Sequence, residues 1–300
     1  MYKEILTISA ILFMLIPIVT IAQHQSVIAE NAGPELVSDD FEFTEGPAAD
    51  RLGNVYFTDQ PNNNIHRWNL ETGEISVFLE NAKRANGLFI DNEGNILACA
   101  DKNFQLIKIT PQKEMKVLID NFEGKNLNGP NDLWMDNKGG IYLTDPYYQR
   151  PYWERTSPEL ESQNVYYLAP GAKSLVSVAK GLVQPNGIIG TPDGKKLYVA
   201  DIGDNKTYSY SIAEDGSLYN RKLFVEQGSD GMTLDNEGNV YLTGDGVTVY
   251  NENGEQIHHI PVDEDWTANV TFGGENHSTL FITAMDALYS LEMKVKGTRW

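Results

Sequence analysis

Five side chains of this sequence carry oxygen chemistry at one recurring interval. Glu45, Asn86, Asn131, Asn186 and Asp230 each stand fourteen or fifteen residues before an Asp that ends an apolar run. Four of them precede glycine, in Glu45-Gly46-Pro47, Asn86-Gly87, Asn186-Gly187 and Asp230-Gly231. Asn131 lies within Gly129-Pro130-Asn131-Asp132, and Asn269 is a sixth member in a looser register. Two carboxylates among amides, gathered at one point, make a hard-oxygen site for one divalent cation. Ca²⁺ fits best because it accepts six to eight oxygen ligands in irregular geometry, with Mg²⁺ and Zn²⁺ as alternatives. His24, His66, His258, His259 and His277 fall outside the register, so no His/Cys cluster of the usual Zn²⁺ type accompanies it.

What could bring these residues together is a repeat. A Gly-containing turn, a hydrophobic strand and an Asp recur as GNVYFTD, GNILACAD, GGIYLTD, KKLYVAD, GNVYLTGD and STLFITAMD. These end at Asp59, Asp101, Asp145, Asp201, Asp245 and Asp286, at spacings of 42, 44, 56, 44 and 41 residues. Periods of roughly 40–45 residues match one four-stranded propeller blade each. The fold expected is all-β, a six-bladed β-propeller over residues 23–300. Within the first unit, strands are expected at Asn54–Thr58, Ile65–Asn69 and Ile75–Phe78, joined by polar turns. The strand-like segment near Glu35 precedes the first unit and should pair with Ala287–Leu291, closing the ring and covering its edges. In such a ring, equivalent positions on the innermost strands converge on the axis. The rival explanation is that Asn-Gly and Asp-Gly are ordinary turn pairs. It accounts for one pair well, for five in register poorly, and not for Glu45 before Gly-Pro.

The six repeat Asp residues read as turn caps or acceptors of local backbone amides. Asp91, Asp136 and Asp235 read as turn formers. The 56-residue interval holds an aromatic-rich insertion, Tyr147–Asn164, with Arg150 and Arg155. It serves either as a wall over the ring or as packing against a neighbouring blade or subunit.

Composition narrows the partners. A formal charge of −19 gives no clustered Lys and Arg for a polyanion, so no nucleic acid is expected. Hydrophobic content of 41% supports a packed core rather than disorder. Met1–Ala22 has Lys3, an apolar run and a small-residue end, and reads as a removable signal peptide. The mature chain would be periplasmic or secreted, and not membrane-bound. Its single cysteine, Cys99, excludes an intrachain disulfide.

Phe43-Thr44-Glu45-Gly46-Pro47, Gly129-Pro130-Asn131-Asp132, Pro185-Asn186-Gly187 and Ser229-Asp230-Gly231-Met232 together resemble the SMP-30/gluconolactonase/luciferin-regenerating-enzyme family. Order and spacing agree from about Glu35 to Leu291. The resemblance implies a six-bladed propeller with an axial divalent cation and hydrolysis of a sugar lactone, a small-molecule substrate. It further implies that Glu45, Asn186 and Asp230 coordinate the metal. Asn131 would contact substrate or metal-bound water, and Asp230 would act as general base, with Asp132 the next candidate. Some members carry Arg two residues before the Asn131 position, where this chain has Gly129, so sugar preference does not carry over. The alternative function is a non-catalytic binding module with a structural calcium ion. No Gly-x-Ser-x-Gly elbow supports a serine hydrolase.

Overall fold

The computed structural model describes residues 26–298, so the expected export segment lies outside the described residues. Six four-stranded antiparallel sheets follow one another along the chain. The first five span residues 44–80, 85–119, 133–182, 185–225 and 232–260. The sixth joins Thr267–Gly273, Thr279–Ala284 and Ala287–Glu292 to the N-terminal strand Glu35–Ser38. Glu35 pairs with Ser290 and Leu36 with Tyr289, so the expected closure is present. Outside the strands there are three single 3₁₀ turns and no α-helix among the described residues.

Burial within a blade follows distance from the axis. The inner strand Thr44–Ala49 and the second strand Ile96–Ala100 are buried throughout. Outer strands such as Leu218–Val225 are mostly exposed. Each sheet is covered on both faces by its neighbours, so the core is a circle of inter-blade layers. One such layer joins Leu97, Leu133, Tyr142, Val165 and Leu197 from three consecutive blades. Strand bounds in the first blade, Val55–Asp59, Asn64–Trp68 and Ile75–Glu80, lie within a residue or two of those expected.

The glycines of the Asx-Gly pairs are not turn residues. Gly46, Gly87 and Gly187 lie where an inner strand bulges, Gly231 lies just before the inner strand Met232–Leu234, and all four touch the next blade. A Cβ on Gly46 would stand 2.0 Å from the Asn86 carbonyl oxygen. On Gly87 it would stand 2.5 Å from Asp132 Oδ1, on Gly187 2.8 Å from the Asp230 carbonyl oxygen, and on Gly231 1.9 Å from Asn269 Cγ. Only Gly46 of these four has positive φ, +46°. Close approach of the next blade, by its backbone at Gly46 and Gly187 and first by the Asp132 and Asn269 side chains at Gly87 and Gly231, therefore explains the register better than turn chemistry.

Two expectations need correction. Thr243 and Thr283 occupy the place of Thr144, each facing the inner strand at Gly231, Asn269 and Asp132 respectively. The true counterparts of Asp145 are therefore Gly244 and Ala284, and in the second blade Ala100, which pairs with Ala85 and Gln105 as Asp59 pairs with Thr44 and Asn64. Asp101, Asp245 and Asp286 each stand past that place, the last two as exposed tip residues. The insertion is the loop from Asp145 to Ser162; Gln163 and Asn164 already belong to the third strand, Gln163–Leu168. The other repeat Asp residues act largely as expected. Asp59 accepts the amides of Glu42 and Phe43, Asp145 those of Asn128 and Gly129, and Asp201 those of Val183 and Gln184. These amides belong to the chain segment entering each inner strand, which fixes the height of the following Asx residue.

The close-approach reading is tested by two glycine-to-alanine changes of similar backbone. Gly73, with φ +70°, has nothing within 4 Å of a Cβ. Gly73→Ala should cost about 1–2 kcal/mol for left-handed strain alone. Gly46→Ala should cost about 1–3 kcal/mol more, from overpacking against Asn86. Equal losses in urea denaturation would refute a special role for inter-blade contact.

Candidate metal and active site

The inner strands present two polar layers rather than one ring. The outer layer is Glu45, Asn86, Asn131, Asn186 and Asp230. Its sixth place belongs to Ala268: Thr58 Oγ1 bonds the Asn86 carbonyl at 3.2 Å, and Thr243 Oγ1 bonds the Ala268 carbonyl at 2.8 Å in the equivalent step. Asn269 therefore sits one residue deeper, level with Gly46, Gly87, Asp132, Gly187 and Gly231. Asp132 and Asn269 behave alike, each side-chain Oδ1 accepting the next backbone amide at 2.8 Å. Both line an axial cavity of about 230 Å³ that runs toward Asn92, Asn137 and Gly297. Asp132 thus lies on the cavity side of the outer layer, which separates it from Asp230 as a candidate base.

The outer layer is tightly connected on one side. Asn186 Nδ2 donates to Asp230 Oδ1 at 2.7 Å and to the Tyr148 hydroxyl at 3.0 Å. Those two bonds fix the amide, and its buried Oδ1 is left without a donor. The buried Oδ1 of Asn86 is likewise unpartnered. Asp230 Oδ2 accepts the Trp266 indole N–H at 2.8 Å. Glu45 Oε2 accepts the Gly46 amide at 2.7 Å and Asn269 Nδ2 at 3.2 Å. Glu45 and Asn186 are buried, whereas Asp230 is half-buried and keeps access to the mouth.

Electrostatics match an anionic pocket. Burial, then the charges of Asp230 and Asp132, hold the Glu45 carboxyl well above the usual range. Burial pushes Asp230 up to about 6, against the pull of Trp266, Asn186 and Arg150. Burial also pushes Asp132 up to about 7. Three carboxyls in one desolvated space favour protons or a bound cation over bare charge. Among the described residues, no three Asp, Glu, His or Cys side chains cluster closely enough to hold a metal by themselves. A cation here would need amide oxygens, and the orphaned Oδ1 atoms of Asn186 and Asn86 are of that kind. The donor set fits a hard cation.

The insertion reaches this layer. Its far end is fastened to Asp101, which accepts from Arg150 Nε at 2.9 Å and Tyr152 Oη at 2.6 Å. Trp153 Nε1 donates to the Asp101 carbonyl at 3.0 Å. Its near end places Tyr148 against Asn186. Both readings of the segment are therefore met in part: it packs on a neighbouring blade, and it walls the mouth. Trp153 also lies 3.0 Å from where a Gly129 Cβ would be, so a side chain at that position has no room. Tyr148 and Trp266 escaped the repeat argument because both lie in loops outside the repeated register. The only signal was Tyr148's nearness in sequence to Asp145, in the interval already marked as long.

Comparison with known proteins agrees with this architecture. A gluconolactonase of Zymomonas mobilis is 28% identical over 293 residues, covering 88% of this chain and 82% of its own. The solved structure of a Xanthomonas campestris gluconolactonase superposes with a TM-score of 0.82 at 28% identity, over 89% of this chain and 91% of that one. An Agrobacterium tumefaciens calcium-binding protein, regucalcin, shares the fold at a TM-score of 0.75 and 20% identity, over 89% and 96% of the chains. The SMP-30/Gluconolactonase/LRE-like family model matches residues 43–286. With that match spanning most of the six blades, the chain belongs to the SMP-30/gluconolactonase/LRE-like family.

Proposed function

We propose that this protein is a divalent-cation-dependent lactonase, acting on a sugar lactone or related cyclic ester. The observation that carries this reading is the fixed Asn186 amide. Its Nδ2 is committed to Asp230 and Tyr148, so its buried oxygen is left without a hydrogen-bond donor in the layer that also carries Glu45 and Asp230. Glu45, Asn186 and Asp230 would hold the cation, with Ca²⁺ favoured by the oxygen donors. When bound, the cation supplies Lewis-acid polarisation of the lactone carbonyl. Gluconolactonases among the relatives support the substrate class.

The remaining steps belong to the chain. Asn131, at the same level, orients the substrate with its amide. Asp230 takes a proton from water as the water oxygen bonds to the carbonyl carbon. Each Asp230 oxygen accepts one protein hydrogen bond and keeps a lone pair for this task. The bond from carbonyl carbon to ring oxygen then breaks, and the ring oxygen takes the proton back from Asp230. The product is a hydroxy acid, which ionises in solution. The export segment read in Met1–Ala22 would place this chemistry in the periplasm or medium.

The primary test is acid release in a pH-stat across a panel of aldonolactones, before and after chelation and with added Ca²⁺. Turnover should vanish with chelator and return with cation. Tight cation binding without turnover on any lactone would favour the non-catalytic binding module. Glu45→Gln should lower turnover and recover in part with excess cation, since its defect is binding. Asp230→Asn should lose about 10²–10⁴-fold and not recover, as removal of a general base requires. Full recovery would reduce Asp230 to a ligand. Asn131→Ala should chiefly raise KM.

The raised carboxyl pKa values set the pH dependence of stability. Their folded values lie above the unfolded ones, near 4. They therefore favour the folded state below about pH 4 and withdraw that support as pH rises through about 6 and 7. Cation-free protein should lose thermal stability from pH 5 to pH 8. Added Ca²⁺ competes with protons at pH 5 but not at pH 8. The rise in Tm on adding Ca²⁺ should therefore be larger at pH 8, where Ca²⁺ at one hundred times Kd adds about 2.7 kcal/mol to the folding free energy. A rise independent of pH would locate the cation away from these carboxyls.

A further inference from the structure

Tyr148 lies in none of the repeated positions, yet its hydroxyl touches the outer layer. It accepts a hydrogen bond from Asn186 Nδ2 at 3.0 Å, on the same nitrogen that holds Asp230. A phenol that accepts one bond still has its own proton to give. The half-buried ring stands on the mouth side, where substrate must enter. The backbone beside it is clamped. Tyr147 N–H donates to Gln163 Oε1 at 2.6 Å, and the Tyr147 carbonyl accepts from Gln184 Nε2 at 3.2 Å. Two residues on, Arg150 is paired with the buried Asp101 carboxylate at 2.9 Å, with its guanidinium carbon 5.6 Å from the Tyr148 ring centroid. Tyr148 is thus a preorganised donor held at both sides by bonds to three different blades.

We propose that Tyr148 is a catalytic residue whose O–H donates a hydrogen bond to the carbonyl oxygen of the bound lactone, and that Asp101 is the positioning residue that holds it there through Arg150. This rests on the lactonase reading above. As water adds to the carbonyl carbon, the C=O π pair moves onto oxygen, and the bond from Tyr148 strengthens with that charge. When the pair returns and the ring C–O bond breaks, the bond weakens again; Tyr148 keeps its proton throughout. A donor already fixed in place needs no reorganisation at the moment of reaction. Asp101 stands one residue past the place that Asp59, Asp145 and Asp201 occupy in their blades, and from there its buried carboxylate holds the insertion.

The test compares wild type, Tyr148→Phe, Asp101→Asn and the double variant in the presence of Ca²⁺, with Ca²⁺ affinity measured by calorimetry. Tyr148→Phe keeps the ring and removes only the donor. Its kcat should fall about 10²–10³-fold, the loss typical of one oxyanion donor, while KM and Ca²⁺ affinity stay within about twofold. Asp101→Asn should lower kcat less, and the double variant should be no worse than Tyr148→Phe, since both act through one hydroxyl. Unchanged kcat in Tyr148→Phe would overturn the proposal. So would weakened Ca²⁺ affinity with turnover restored by excess Ca²⁺, which would make the hydroxyl a prop for Asn186. Additive losses in the double variant would remove Asp101 from its positioning role. Wild-type protein inactive on every lactone would instead fell the lactonase reading itself, and this proposal with it.

Discussion

A Cβ at Gly46 would meet the Asn86 carbonyl at 2.0 Å, and similar contacts at Gly87, Gly187 and Gly231 repeat this constraint around the axis. At these four places the backbone of the next inner strand, or the Asp132 or Asn269 side chain it carries, leaves no room for anything larger than glycine. That approach compresses the Asx residues just before these glycines into one small space. It also excludes water from them, which raises the carboxyl pKa values and leaves amide oxygens without donors. Site chemistry and backbone packing are therefore one requirement. A blade that loosened would relax both the desolvation and the geometry.

The repeat made most of this legible. A strand ending in Asp every forty-odd residues, and an Asx at fixed distance before it, fixed blade number, closure and the level of Glu45, Asn86, Asn131, Asn186 and Asp230. The register failed where blades 2, 5 and 6 replace the anchoring Asp by Ala100, Gly244 and Ala284, with an Asp close behind each. Asn269 then seemed to stand in the outer layer, whereas backbone pairing with Thr283 puts it beside Asp132. Such a slip cannot be seen in residue types, because an Asx caps the following amide equally well at either level. Tyr148 and Trp266 were illegible for another reason. They reach the site from irregular loops, whose path depends on distant partners such as Asp101, Gln163 and Gln184.

Departures from sixfold symmetry carry the specialised parts. Blade 3 alone has a long insertion, and Asp101 of the neighbouring blade, one residue past the repeat position, anchors it. Blade 6 alone has Ala268 in the outer layer, so the oxygens form an incomplete circle. The carboxylates Glu45 and Asp230 flank this gap, while Asn186 and Tyr148 gather beside Asp230. An equal ring would present no direction to a substrate; this one has a charged side, an amide side and an aromatic wall.

The closing strand, Glu35–Ser38, pairs with residues 288–290. Five complete blades and most of the sixth lie between these partners, so the ring's last seam joins segments at opposite ends of the propeller's sequence. The first blades can gain hairpin contacts as they emerge, yet Glu35–Ser38 must wait for a partner made some 250 residues later. The chain thus carries an edge-forming strand unpaired until the last blade has been made, and closure of the ring is the last step of the fold. The one contact that locks the circle therefore cannot form before the sixth blade exists, and every earlier blade must hold its hairpins together without it.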